Sequence, residues 1–241
     1  MAKSGAANKA RRLEVLIAAL VIVVVGVLIA MLVTKGGSDN DSFAEQDDSQ
    51  RGQVADMVER RDAGDPLARG RVDAPVVLVE FEDFRCPFCA KFSTETAPEL
   101  IDRYVDEGVL RIEWRDLPIF GEESTRAAHA GRAAAQQDKI WEFQHAVFSH
   151  APSRGHPDLP TEKLVEYAEE ADIDIEKFKS DMADSDIKDA VDSDIGLGTD
   201  LGIQATPAFV INGEAIRGAQ PLDTFVDAIE EAKEEAAEDT E

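Results

Sequence analysis

The longest apolar segment of the chain lies near its N-terminus, from Val15 to Val33. A run of about 19 apolar residues is long enough for a helix to cross a bilayer. Basic residues precede it, at Lys3, Lys9, Arg11 and Arg12. By the positive-inside rule, the N-terminus stays in the cytoplasm and the remainder is exported. We therefore predict a cytoplasmic tail (residues 1–14) followed by a single transmembrane signal anchor (residues 15–33).

A cleaved signal peptide is the alternative, because the segment before the apolar run is basic. The apolar run is long for such a peptide, and no small-x-small cleavage motif clearly follows it. Residues 34–65 are polar and acidic, which predicts a flexible linker, with a short helix between Val54 and Arg61. In either case the main domain is extracytoplasmic, where disulfides form and persist.

Beyond the linker, the pattern becomes that of a mixed α/β domain at residues 66–236. The β-branched run Val76–Phe81 predicts a buried strand, and Pro87–Glu107 has the apolar spacing of a helix. A second strand is predicted at Val109–Trp114. A helical insertion follows at about residues 121–201, with these predicted segments: Glu123–Gln137 with Glu122 or Ser124 as cap, Lys139–His150, a helix capped by Thr161, Asp174–Met182 and Ser185–Leu201.

The sequence of the last part of the domain predicts a β-hairpin followed by a C-terminal helix. Asn212-Gly213 is a strong two-residue turn signal between the short runs Ala208–Ile211 and Glu214–Arg217. The segment Pro221–Glu235 has the apolar spacing of a helix. The acidic end, residues 237–241, is expected to be a disordered tail.

The candidate chemistry is the motif Cys86-Pro87-Phe88-Cys89, which contains both of the chain's 2 cysteines. It lies where a predicted strand ends and a predicted helix begins, the usual setting of a redox dithiol. The helix N-terminus carries partial positive charge and would stabilise a thiolate at Cys86. A structural disulfide in so small a loop would constrain the unfolded chain very little. Half a zinc site would need further ligands, which the 4 histidines do not supply at a suitable spacing.

The net charge of the chain argues against nucleic acid as a binding partner. The formal net charge is −25, from 50 acidic and 25 basic side chains, and such a surface repels nucleic acid. As the reason for this acidity, we favour solubility or adaptation to salt over an acidic binding function. We predict neither a metal site nor a cofactor.

Three further segments give the chain a resemblance to a known family. These segments are the approach Val79–Cys86, the helical stretch Lys139–Phe143 and the stretch Gly202–Pro207, which ends in Thr206-Pro207. With the cysteine motif, they resemble thioredoxin-fold proteins of the DsbA type, which are extracytoplasmic thiol–disulfide oxidoreductases. The resemblance covers about residues 66–236 and implies a thioredoxin fold with a helical insertion domain.

The resemblance implies a role for each matching residue. Cys86 corresponds to the nucleophile and Cys89 to the resolving cysteine. Pro207 corresponds to the cis-proline beside the active disulfide, and the Thr206 hydroxyl is placed to tune the sulfur. Glu80 corresponds to a buried acid that accepts the proton of Cys89.

The identity of the buried acid and the oxidising strength of the disulfide remain undecided from the sequence. Glu82 and Asp83 are alternatives to Glu80 as the buried acid, and Glu82 shares its face of the strand. Pro87 and Phe88, together with the Thr206-Pro207 pair, are expected to bind the substrate. Phe88 stands where the best-known oxidase of the family has histidine. Since phenylalanine donates neither a hydrogen bond nor charge to the thiolate, the disulfide is expected to be less oxidising.

The sequence therefore predicts an enzyme that introduces disulfides into exported cysteine-containing proteins. The resemblance also implies a membrane redox partner that reoxidises the pair. Two alternatives remain: a reductase or isomerase with the same site, and a chaperone-like binding module in which the disulfide is only structural.

Overall fold

A computed structural model describes residues 48–152 and 154–238, whose strands form one sheet in the order β1-β3-β2-β4-β5. The strands are β1 (Ala68–Arg69), β2 (Val76–Glu82), β3 (Leu110–Asp116), β4 (Ala208–Ile211) and β5 (Glu214–Arg217). The β2–β3 pair is parallel and the other pairs are antiparallel. The predicted strands are confirmed, whereas β1 was missed because two residues leave no alternating pattern.

Strand β2 is the centre of the sheet, and all seven of its residues are buried. Val76 and Leu78 contact the apolar cluster that contains Phe92, whereas Val77 and Val79 contact a separate cluster on the opposite face. This burial on both faces explains why the strand is a continuous apolar run with few polar positions.

The described helices enclose the sheet. They are α1 (Asp48–Val58), α2 (Pro87–Lys91), α3 (Ala97–Leu100), α4 (Glu122–Ala135), α5 (Ile140–Ser149), α6 (Thr161–Glu170), α7 (Ile175–Met182), α8 (Ser185–Asp200) and α9 (Leu222–Glu238).

The predicted helix after the cysteine motif is not regular. α2 and α3 are joined by the π-helical turn Phe92–Thr96, and a second π-helical turn, Ile101–Val105, follows α3. Pro98 has no N–H to donate, and the N–H of Ala97 bonds to the carbonyl of Phe92, five residues back. We call the whole segment 87–105 the redox helix.

Helices α4 to α8 lie between β3 and β4, in the interval where the helical insertion was predicted. Phe84 joins this insertion to the sheet, because its ring lies 5.0 Å from Trp114 and 5.6 Å from Phe143 and from Phe148, between centroids. Both cysteines belong to the same apolar cluster. The insertion therefore packs directly against the cysteine motif.

Two predicted helix caps were wrong. Gly121, not Glu122 or Ser124, precedes α4, with φ 85° and ψ −165°, a conformation that glycine adopts readily. Pro160 precedes α6 in an extended conformation, so Thr161 is the first helical residue rather than the cap. In both cases, the N-cap residue is one whose backbone conformation suits the start of the helix, and no side-chain oxygen caps the helix.

The predicted flexible linker is corrected for residues 48–65. Helix α1 occupies part of this stretch, and Val58 at its end is buried against Val77 and Phe81. The N–H groups of Arg60 and Arg61 donate to the Glu113 carboxylate at 2.7 and 3.0 Å. The apolar side of α1 thus covers one face of the sheet, although the segment is mostly polar.

The predicted cytoplasmic tail, the signal anchor and the linker up to residue 47 lie outside the described residues, as do residues 239–241 of the predicted tail. Residues 237 and 238 belong to α9. Within residues 48–152 and 154–238, no helix has the length and apolarity needed to cross a membrane.

Candidate active site

The cysteine motif begins where β2 ends. The carbonyl of Asp83 accepts the N–H of Cys86 at 2.9 Å, which forms a tight turn. Cys86 is the N-cap residue of α2, and its carbonyl accepts the N–H of Ala90 at 3.1 Å. Pro87 lies in the first turn, where its missing N–H costs no hydrogen bond, as predicted.

The two cysteines are free thiols, and both are buried. Cys86 is 2% exposed and its Sγ lies 3.2 Å from the backbone oxygen of Thr206. The peptide bond between Thr206 and Pro207 is cis, as the resemblance implied. The structure therefore brings together Cys86, Cys89, Thr206 and Pro207.

The two thiols differ in acidity. A hydrogen bond from Cys89 lowers the pKa of Cys86 to about 6, against the opposing effect of burial. Thr206 and the N–H groups of Cys89 and Phe88 lower this pKa further. Burial, followed by the hydrogen bond to Cys86, raises the pKa of Cys89 well above its ordinary value. At neutral pH, Cys86 is thus mainly the reactive thiolate, and Cys89 keeps its proton.

The Thr206 hydroxyl lies in the same pocket, and its oxygen is buried without a hydrogen-bond partner among the described residues. In its neutral form, the Cys86 thiol donates to the carbonyl of Thr206. Once Cys86 ionises, it has no proton to donate, and a hydroxyl that rotates freely is suited to donate to the thiolate. This geometry agrees with the predicted tuning of the sulfur by Thr206.

Glu80, Glu82 and Asp83, the three candidate acids, are all buried. Burial raises the pKa of Glu80 to about 8, partly offset by the charge of Arg69. Burial also raises the pKa of Glu82, as do the charges of Glu80 and Cys86. Asp83 accepts the backbone N–H groups of Arg85 and Ile119, at 2.8 and 2.7 Å, and therefore holds the loop.

A thioredoxin family model matches residues 62–231. This chain belongs to the thioredoxin family.

Individual relatives indicate which kind of thioredoxin family member this chain is similar to. The probable disulfide bond formation protein D of Bacillus cereus is 32% identical over 148 residues, which cover 60% of this chain and 68% of that protein. The probable disulfide bond formation protein D of Bacillus anthracis is 27% identical over 211 residues, or 86% and 89% of the two chains. The oxidised structure of BdbD from Bacillus subtilis superposes with a TM-score of 0.65 at 26% identity, over 70% of this chain and 92% of that one.

These relatives and the cysteine motif identify this thioredoxin family member as a DsbA-like thiol–disulfide oxidoreductase. The predicted enzyme class and thioredoxin fold are therefore confirmed.

In this thioredoxin family member, the residue between the cysteines that faces solvent is Phe88, which is 61% exposed. Pro87 beside it is half-buried. An exposed aromatic ring next to a buried nucleophile provides an apolar contact for an approaching peptide. The two predicted substrate-binding residues of the motif thus lie at the surface.

Arg85, the residue just before Cys86, was not predicted to be part of the site. Its guanidinium donates to the carbonyls of Phe120 and Pro157, both at 2.8 Å, and pairs with Glu123 at 3.1 Å. Arg85 therefore ties the active-site loop to the insertion of this oxidoreductase. The charge directly before the first cysteine was the only sign in the sequence that Arg85 has a role at the site. Its partners could not be predicted, because they lie far away in sequence.

Proposed function

We propose that this oxidoreductase introduces disulfides into exported cysteine-containing proteins. The observation that carries the proposal is the lowered pKa of Cys86, about 6. A stabilised thiolate lowers the free energy of the reduced pair and so makes its disulfide a better oxidant.

The proposed reaction uses both cysteines in order. A substrate thiolate attacks Sγ of Cys86, which breaks the Cys86–Cys89 bond and forms a mixed disulfide. The sulfur of Cys89 leaves and gains a proton. A second substrate thiolate then attacks the substrate sulfur of the mixed disulfide and releases the Cys86 thiolate. The substrate loses two protons and two electrons, and the cysteine pair gains the electrons.

The other residues of the site bind the substrate in this proposal. Phe88 and Pro87 contact apolar side chains beside the reacting cysteine. Thr206 and Pro207 lie at the entry to β4 and place their backbone along an extended peptide. This arrangement is supported by the 3.2 Å contact between Cys86 and Thr206, which puts that backbone next to the nucleophile.

We further propose that the enzyme is a single-pass membrane protein whose catalytic domain lies on the extracytoplasmic side. The apolar run 15–33 and its basic flank support this arrangement. A membrane redox partner would then return the pair to the disulfide form. Protease treatment of intact cells, followed by detection of a C-terminal tag, tests the orientation: loss of the tag is expected, and protection would contradict it.

Equilibration of the full chain with glutathione buffers in detergent tests the direction of the reaction. The fraction of reduced pair is measured after acid quenching and maleimide labelling. A potential above about −200 mV is expected for a disulfide donor, whereas a value near about −270 mV is that of a thioredoxin-like reductant.

A reductase with the same site is the second candidate, and Phe88 is the observation that favours it. This side chain supplies no hydrogen bond or charge to the Cys86 thiolate, and weaker stabilisation of that thiolate makes the disulfide less oxidising. A binding module would be indicated instead if Cys86→Ser left the cellular role intact.

A further inference from the structure

The domain contains a groove that the proposed disulfide exchange does not use. Its volume is about 890 Å³, and it lies between the redox helix and α5. Neither cysteine lines it, and neither do Phe88, Thr206 and Pro207. A groove of this size falls within the range of about 300–1,000 Å³ that is typical of ligand sites.

Two buried polar side chains line this groove without a partner. Glu80 is 2% exposed, and its Oε1 has no hydrogen bond among the described residues. Gln144 of α5 is 8% exposed, and its side-chain amide makes no hydrogen bond in the same part of the chain. Because a buried polar group without a hydrogen bond is costly, we expect both groups to bind either water or a ligand.

Arg69 of β1 presents a charged group to the same groove. Its guanidinium lies over the ring of Trp141, 4.6 Å from the centroid, and forms no hydrogen bond or ion pair with the residues that the structure describes. Stacking on a ring face orients the guanidinium plane and leaves the N–H groups at its edge free. Such an edge binds a carboxylate through two parallel hydrogen bonds.

The buried part of the groove favours an anion at neutral pH. Burial raises the pKa of Glu80 to about 8, an effect that the charge of Arg69 partly offsets. The Glu80 carboxyl group is therefore mainly neutral at pH 7 and does not compete with an anionic ligand for Arg69. A neutral carboxyl group can also donate a hydrogen bond to that ligand.

The exposed rim of the groove has the opposite charge. It contains five exposed acidic residues: Asp102, Asp138, Glu142, Glu170 and Asp172. The lysine of the rim, Lys139, is already paired with Glu142 at 3.4 Å. The rim therefore repels ligands with several negative charges and attracts a cationic group.

Much of the remaining wall is apolar and includes Phe92, Ile101 and Ile112. These residues provide a surface for a hydrophobic side chain. The hydroxyl of Ser93, which also lines the groove, and the amide of Gln144 can each donate and accept a hydrogen bond. The wall thus suits a peptide, which combines apolar side chains with a polar backbone.

We propose that this groove binds a peptide with a free C-terminal carboxylate, an apolar last residue and a basic residue upstream. The carboxylate pairs with the Arg69 guanidinium, the apolar side chain packs on the wall, and the basic side chain lies at the acidic rim. This inference goes beyond the proposed function, because no step of the disulfide exchange uses the groove. The enzyme thereby gains a contact with polypeptides that is separate from the cysteine motif.

The tripeptide Lys-Leu-Leu tests the proposal, with the same tripeptide amidated at its C-terminus as the matched ligand. Isothermal titration calorimetry on the full chain in detergent measures both affinities. We expect the free acid to bind about tenfold more tightly or better, because the amide cannot form the charge-assisted pair with Arg69. Equal affinities would overturn the proposal. Binding of neither peptide would also overturn it and would leave water as the partner of the buried groups.

Arg69→Gln separates the guanidinium from the rest of the groove. This variant should bind the free acid and the amide equally, whereas Arg69→Lys should keep part of the preference, since lysine supplies charge without the bidentate geometry. Arg71→Gln is the matched control, because Arg71 is an exposed arginine that pairs with Asp73 at 2.7 Å. A preference for the free acid that persisted in Arg69→Gln would place the carboxylate elsewhere.

Two further variants locate the peptide. Ser93→Trp fills the groove and should weaken the binding of both peptides, so unchanged affinities would contradict the groove as the site. Phe88→Ala alters the exposed surface beside the cysteines and should leave both affinities unchanged. A loss of binding in Phe88→Ala would place the peptide at the active site and overturn the proposal.

A carrier protein that ends in the same three residues distinguishes the two sources of such a carboxylate. Binding of the carrier indicates the C-terminus of a protein, whereas binding of the tripeptide alone indicates a free peptide. The affinities should be the same with the cysteine pair oxidised or reduced. A thioredoxin-like potential would therefore overturn only the proposed direction of the reaction and leave this site unaffected.

Discussion

The Sγ atom of Cys86 lies 3.2 Å from the carbonyl oxygen of Thr206, a residue 120 positions away in sequence. This contact joins the start of the redox helix to the loop that enters β4. It places the hydroxyl of Thr206, which is buried and without a hydrogen-bond partner among the described residues, in the pocket of the nucleophile. The reactivity of Cys86 therefore depends on both ends of the domain's sequence.

Thr206→Val removes the hydroxyl and keeps the shape of the side chain. We expect the pKa of Cys86 to rise by roughly 0.4–1 pH unit, since a hydrogen bond contributes about 0.5–1.5 kcal/mol. The pH dependence of iodoacetamide alkylation measures this pKa. Thr199→Val is the control, because that hydroxyl bonds to a carbonyl of its own helix at 2.8 Å. An unchanged pKa would show that the hydroxyl does not serve the thiolate.

Cys89→Ala tests the largest favourable contribution to the Cys86 thiolate. The hydrogen bond from Cys89 is the main cause of the low pKa of Cys86, about 6. We expect the variant's pKa to be higher by about one pH unit or more, because hydrogen bonds to charged groups are worth about 1.5–3 kcal/mol. Thiolate absorbance in the ultraviolet follows the titration. A pKa that stayed near 6 would assign the effect to the helix N-terminus instead.

Glu80 makes the stability of the protein depend on pH. Its pKa is raised from 4.5 to about 8, so the folded state binds a proton that the unfolded state releases over this range. The free energy of unfolding should therefore fall as pH rises from 4.5 to 8. Glu80→Gln should flatten this slope and stabilise the protein at pH 9 by on the order of 3 kcal/mol.

Urea unfolding of the wild type and Glu80→Gln at a series of pH values measures this effect. Below pH 4.5 the two proteins should have similar stability, because both side chains are then neutral. A variant less stable than the wild type at pH 9 would contradict the raised pKa. Glu95→Gln, at an exposed position on the redox helix, serves as the control for loss of an exposed carboxylate.

Gly131→Ala tests the packing of the insertion on the sheet. A Cβ atom at Gly131 would lie 2.7 Å from Cε2 of Phe84, whose buried ring contacts Trp114 and cannot retreat to solvent. Overpacking of this kind typically costs about 1–3 kcal/mol, more than the gain in helix propensity of about 1 kcal/mol. We expect a net loss of about 1 kcal/mol in the free energy of unfolding, measured by thermal or urea unfolding.

Gly196→Ala is the matched control for this packing prediction. Gly196 also lies in a helix, α8, but a Cβ atom there would meet nothing within 4 Å. The substitution should therefore stabilise the protein by up to about 1 kcal/mol. If Gly131→Ala stabilised the protein as Gly196→Ala does, the close approach of Phe84 to α4 would not prevent a larger side chain at position 131.

Local features of the chain were predictable from the sequence. The β-branched run of β2, the proline inside the cysteine motif and the turn at Asn212-Gly213 each have a preference that the residues themselves impose. The hairpin strands β4 and β5 were located with the observed bounds. The cysteine spacing and its setting also determined the class of chemistry.

The contacts between segments far apart in the chain could not be predicted from the sequence, because they depend on how the whole domain folds. Glu80 and Glu82 are both buried on one strand face, and they differ in their charged neighbours: Arg69 lowers the pKa of Glu80, whereas Glu80 and Cys86 raise the pKa of Glu82. Helix α1 is mostly polar, and its position depends on the packing of Val58 against the sheet. The role of Arg85 likewise depends on partners in two distant loops. Local preference sets backbone conformation within a few residues, whereas the ionisation of a buried group depends on its complete three-dimensional surroundings.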